Sequence, residues 1–224
     1  MSRHDPEVAS KRLPARALGI ASQAGLVYLS FRNPRCFWPL MTLGLSVSGL
    51  PGLRKLRDRP QPTSASWLLA GAAAGLAAYG VTLAGANAVG RLPRGRRWLA
   101  RLRDCTQGAP RPLAALLVVP ASIGEEIFWR ESVLGPGLHP GDDLDLGLIV
   151  RSTLVYAAVQ AASLQPLPSL GALLLGLGAG LIRVRSGSIW PAVAAHLVYA
   201  ELCLVEPGLP ELGGGASKWS KSTT

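Results

Sequence analysis

The stretch PLAALLVVPASIGEEIFWRESVLG at residues 112–135 decides how the chain is read. It is apolar enough to cross a lipid bilayer, yet two adjacent carboxylates, Glu125 and Glu126, lie about thirteen residues beyond the last charge before them, Arg111. A charged side chain at that depth costs roughly 2.5–3.5 kcal/mol on insertion scales, so such residues persist where they have a partner or a use. Arg130 follows Glu126 by four residues, on the same helical face, and can pair with it. Glu125 projects about 100° away from that pair. The spacing therefore divides the labour: Glu126 and Arg130 as a clamp, Glu125 as the working carboxylate and candidate general base. Termination of a helix at an interface is the alternative use of the same residues.

The rest of the chain supports a membrane setting. Of 224 residues, 49% are apolar and 16% charged, against about 25% charged in soluble domains. The runs Cys36–Leu53, Gln61–Gly90, Ser152–Leu181 and Ser186–Ala200 carry no Asp, Glu, Lys or Arg. A spanning helix needs about 20 mostly apolar residues. The expected fold is all-α, a polytopic transmembrane bundle of about six to seven membrane segments, with no internal repeat. Residues 1–16 read as a basic tail and 17–63 as N-terminal membrane segments with a basic linker. Residues 64–206 form the core and 207–224 a Gly/Ser-rich tail.

Within that plan, Ser64 or Ser66 caps a helix running to Gly90, and residues 91–111 read as an arginine-rich loop. Pro166 and Pro168 stop a helix begun at Leu146, a Gly/Leu helix covers 169–183, and the last helix covers 189–205. The net charge of +10 sits in segments between apolar runs, where orientation signals and anionic headgroups place it. No aromatic-interleaved basic stripe accompanies it, so nucleic acid is not an expected partner. Orientation stays open, because the basic segments 54–59 and 91–111 are separated by one span. Three scattered cysteines, Cys36, Cys105 and Cys203, imply no disulfide framework.

His196 lies inside the last uncharged run. A lone histidine on an apolar helix is usually a packing residue, but beside an intramembrane Glu pair it becomes a candidate catalytic partner. On these features the chain resembles the CPBP family, the CAAX proteases and bacteriocin-processing enzymes that include lysostaphin-resistance-like proteins. EEIFWR fits that family's EExxxR motif, and GALLLGLGAGLIRVRSGSIWPAVAAH at 171–196 fits its later Gly-rich helix, basic turn and histidine-bearing helix. The resemblance spans roughly residues 64–200. It implies a glutamate-type intramembrane endopeptidase, in which Glu125 activates water, Glu126 and Arg130 support it, and His196 stabilises the oxyanion.

Two positions depart from the family pattern. A second motif, FxxxH, has its best counterpart in Tyr156-Ala-Ala-Val-Gln160, which puts Gln160 where histidine is expected. Glutamine can hold a water but cannot take its proton. Ala200 stands where the HxxxN or HxxxD motif has its partner. These departures leave a second reading open, a non-catalytic scaffold or immunity protein. A proton-relay transporter is the third, weakened by the lack of a second broken apolar segment in a matching half.

No HExxH occurs, and Glu125, Glu126 and His196 are the only candidate metal ligands, so neither metal nor cofactor is expected. The expected partners are membrane lipids and a membrane-associated protein or peptide substrate. The Ala/Gly/Leu/Arg bias favours a bacterial inner membrane and a processing or sorting role akin to the myxosortase-like branch. Oligomeric state is not legible.

Overall fold

A computed structural model of the chain describes residues 6–58, 61–135 and 145–205, with side chains from residue 16 onward. Eight α-helices make up nearly all of it, and among the described residues there is no strand. They are α1 (Pro6–Arg32), α2 (Phe37–Asp58), α3 (Ala65–Gly90), α4 (Pro93–Thr106), α5 (Arg111–Glu126), α6 (Leu146–Gln160), α7 (Pro166–Ser186) and α8 (Trp190–Ala200). Two of these continue in wider π-helical turns, α5 through Ile127–Leu134 and α8 through Glu201–Val205. The all-α polytopic bundle expected from the uncharged runs is what the chain forms.

By length and composition five helices can cross a membrane: Pro34–Asp58, Ala65–Gly90, Arg111–Leu134, Leu146–Ser163 and Pro166–Ser186. Trp190–Val205 is a shorter apolar helix. The protein is an integral membrane protein. Exposed Leu69, Leu76 and Val81 on α3, with Leu43 and Val47 on α2 and Leu116 on α5, face outward as lipid would require. Burial ranks the helices: 56% of the best apolar window of Arg111–Leu134 is inside the bundle, against 11% for Ala65–Gly90. The helix bearing the Glu pair is the axial one, wrapped by α2 and α8, with α6 packed on its π-helical continuation.

Glycines set the closest approaches. A Cβ on Gly71 or Gly75 of α3 would strike the carbonyl oxygens of Pro191 and Ala195 on α8, and one on Gly124 of α5 would strike Leu45 of α2. Lipid supplies no hydrophobic drive between helices, so backbone-to-backbone packing across small residues has to supply the contact. Helix ends follow local chemistry. The Ser64 hydroxyl accepts from Trp67 N, and Asp145 accepts from Leu148 N. Gly187, at φ +68°, ends α7 in the left-handed conformation glycine tolerates.

Several local expectations need correction. Residues 91–111 are not a loop: α4 occupies most of them, because Pro93 starts a helix at its first turn and Gly95, Leu99, Cys105 and Thr106 form a buried stripe. Pro166 opens α7 rather than only stopping α6, whose end is a 3₁₀ turn, Ala161–Ser163. Helix α1 begins at Pro6, inside the stretch read as a loose tail. Asp142, Asp143 and the tail 207–224 lie outside the described residues.

Running α3 between the basic segments 54–58 and 91–111 puts them at opposite ends of the bundle. At 1.5 Å per residue its 26 residues span about 39 Å. Both ends are basic, which is the physical source of the ambiguous orientation.

Candidate active site

Nine consecutive residues, Gly124 to Ser132, are buried or nearly so on the axial helix, and two polar clusters hang from them. The first brings together Glu125, Glu126, Arg130, Gln160 and His196. Glu126 is fully buried and spends both oxygens on protein: Oε2 accepts from Arg130 Nε at 2.8 Å, and Oε1 is 2.9 Å from His196 Nδ1. Charge-assisted bonds of this length are the strong ones. Glu125 points elsewhere. Its Oε1 accepts from Gln160 Nε2 at 3.1 Å, and its Oε2 lies 3.7 Å from His196 Nε2, beyond a direct hydrogen bond. The Tyr156 hydroxyl also interacts with the Glu125 carboxylate.

Three helices deliver these groups: α5, whose π-helical continuation carries Arg130, α6 with Tyr156 and Gln160, and α8 with His196. Trp129 is wholly buried, and its ring centroid lies 5.0 Å from that of Tyr156, which sets the tyrosine against Glu125. Gln160 faces the glutamate, whereas Ser163 and Gln165, a turn further on, bond to each other.

Glu125, Gln160 and His196 open into a cavity of about 120 Å³, whereas Glu126 does not reach it. The far walls are apolar, from Phe31, Phe37 and Met41 near the N-terminus to Leu99 and Leu102 of α4 and Leu175 of α7. Ala200 is part of the wall and offers no hydrogen bond. Tyr199, one turn after His196, also lines the cavity, its hydroxyl 3.2 Å from Thr82 Oγ1. A polar floor under an apolar chamber can hold an extended apolar segment while presenting one carboxylate, one amide and one imidazole to it.

The second cluster was not anticipated. Glu131 accepts from Arg183 at 2.7 Å and from Gln61 Nε2 at 3.2 Å, while Lys55 Nζ bonds its carbonyl oxygen. Gln61 Oε1 in turn accepts from Ile189 N, and Thr63 bonds Ser188. The network ties the linker before α3 to the turn before α8. Charged Glu131 and Arg183 within apolar helices were the available signal. Among the described residues no group of three or more His, Cys, Asp or Glu side chains is arranged to hold a metal ion.

The fold and site define a polytopic membrane protein with a buried Glu–Glu–Arg–His constellation. Residues 107–200 match the family described as Type II CAAX prenyl endopeptidase Rce1-like. The resemblance to the CPBP family seen in EEIFWR and the 171–196 stretch therefore holds, and it supports an intramembrane protease in general terms. No curated protein and no solved structure matches the chain.

Proposed function

We propose that the protein is a glutamate-type intramembrane endopeptidase that hydrolyses a peptide bond of a membrane-associated protein. The observation that carries this reading is the asymmetry of the Glu pair. Glu126 is consumed by Arg130 and His196, while Glu125 faces the cavity beside an imidazole nitrogen it does not directly bond.

The 3.7 Å gap between Glu125 Oε2 and His196 Nε2 suits a water bonded to both. Glu125 would take a proton from that water as its oxygen attacks the scissile carbonyl. Gln160 holds Glu125 in place through its amide N–H and contributes no proton transfer. With Nδ1–H directed at Glu126, a protonated His196 can donate through Nε2 to the developing oxyanion. The two carboxylates outnumber the Arg130 guanidinium by one charge, and a proton on His196 balances the group. A bacterial cytoplasmic membrane, and a leader-bearing or C-terminally anchored substrate, are the setting the composition favours.

A second reading rests on Gln160 and Ala200: a scaffold or immunity protein that binds a peptide in the same cavity and does not cut it. One experiment separates the two. Wild type, Glu125→Ala and His196→Ala are co-expressed with leader-bearing and tail-anchored membrane proteins, with a parallel sample exposed to chelator. Cleavage by wild type, lost in both variants and spared by chelator, is the expected outcome. Cleavage appearing only after Gln160→His with Ala200→Asn would assign the chain to the scaffold reading.

A further inference from the structure

Helix α4 has two faces, and the candidate site uses only one. Leu99 and Leu102 form part of the cavity wall, and Gly95, Cys105 and Thr106 pack beneath them. The helix is held down at two points: Arg101 bonds the Phe31 carbonyl oxygen at 2.7 Å, and Trp38 Nε1 bonds that of Thr106 at 2.8 Å. From Arg91 to Arg111 the segment carries seven arginines and a single acidic residue, Asp104. Arg91, Arg94, Arg96 and Arg97 are exposed, as are Arg32 and Arg35 at the adjoining end of α1.

The placement of these charges is specific. At 100° per residue, Arg96 and Arg103 border the buried stripe on one side, Arg94 and Arg101 border it on the other, and Arg97 lies on the face opposite. That is where long cationic side chains reach sideways and outward from an interfacial helix, stems along apolar surface and heads at the headgroup level. The helix also joins Gly90, the end of one candidate span, to Arg111, the start of the next. It thus lies at the end of the bundle where these two spans meet, the end from which an interfacial helix would face lipid phosphates. The opposite end, by contrast, offsets part of its charge: Arg183 is paired with Glu131, and Arg57 contacts Asp58.

We infer that the outer face of α4 is a binding surface for anionic phospholipid headgroups, with Arg94, Arg96 and Arg97 as its principal contacts. This does not depend on the chain being a protease. Each basic residue near an anionic surface contributes about fivefold in affinity, so loss of three should weaken binding by about two orders of magnitude.

The test uses the full chain purified in neutral detergent with equal amounts of phosphatidylglycerol and phosphatidylcholine of matched acyl chains. Retained lipid is quantified by mass spectrometry at low and high salt. The triple variant Arg94→Gln/Arg96→Gln/Arg97→Gln is compared with an equal-charge control at the other end, Arg54→Gln/Arg57→Gln/Arg185→Gln. Wild type and control should retain phosphatidylglycerol selectively and lose it in high salt, and the α4 variant should retain at least tenfold less. The salt response of the wild type keeps the test informative if the variant is unstable. Equal retention by the two variants would overturn the assignment, as would no selectivity in wild type. Displacement of the lipid by millimolar inorganic phosphate would also overturn it, in favour of a soluble anion.

Discussion

Glu126 and Glu125 are neighbours in sequence and opposites in use, so they should fail differently when changed. Arg130 is wholly buried, and only its Nε has a protein partner within hydrogen-bond reach. Removing it as Arg130→Leu leaves two buried carboxylates with His196 as their one remaining cationic partner in the cluster, and breaking such a buried pair typically costs about 3–5 kcal/mol. The expected result is a large fall in thermal stability in detergent, read by loss of monodispersity on heating. Glu125→Gln keeps the Gln160 contact through its side-chain oxygen and should leave stability nearly unchanged while reducing cleavage by at least about 10²-fold. Gln160→Leu sits between these cases, because it leaves Glu125 in place but unheld: cleavage should fall and folding persist. Both sets need the same two measurements, a melting curve and a cleavage assay. The sequence showed Glu125, Glu126, Arg130 and His196 because charge inside an apolar run is conspicuous. It could not show that His196 binds the second glutamate rather than the first, since that depends on the rotation of α8 against α5.

Packing of α3 on α8 positions His196, and glycine alone makes that approach possible. Gly75→Val would drive side-chain atoms into the Ala195 carbonyl, one residue before the histidine, and displace α8. Gly80→Ala, on the same helix where a Cβ meets nothing within contact range, is the matched control. The first should abolish cleavage and lower stability, and the second should alter neither, measured on the two variants side by side. The spans and the Ser64 cap were legible at this scale because apolar length and N-cap chemistry are local signals. Helix α4 was not: arginine lowers its average hydropathy to that of a loop, and its buried stripe is visible only through the tertiary contacts of Gly95 and Leu99. Pro166 was ambiguous for a related reason, since proline both forbids helix before it and suits the first turn after it.

Across the whole molecule, burial rather than sequence separates the three cysteines. Cys36 is half-buried, while Cys105 and Cys203 are enclosed. Loss of solvation also holds the Cys105 thiol above its ordinary pKa, with Arg101 opposing the shift, so less of it is thiolate near neutral pH and it reacts more slowly. A maleimide should label Cys36 first in folded protein, and all three at similar rates once the protein is denatured, as counted by intact mass.

The Glu126–His196 bond joins residues 70 positions apart, and this governs how the protein can be made. When Glu126 is added to the growing chain, the histidine that will bond it has not been synthesised, and neither has Gln160, which will hold Glu125. At about 5–20 residues per second the wait for His196 lasts about 4–14 s. Throughout it, the axial helix carries two carboxylates that bare lipid accepts only at a cost of several kcal/mol. Release of α5 sideways into the bilayer before α8 arrives would carry that cost. A polar shelter at the insertion machinery is its expected holding place, with the bundle closing around its centre last.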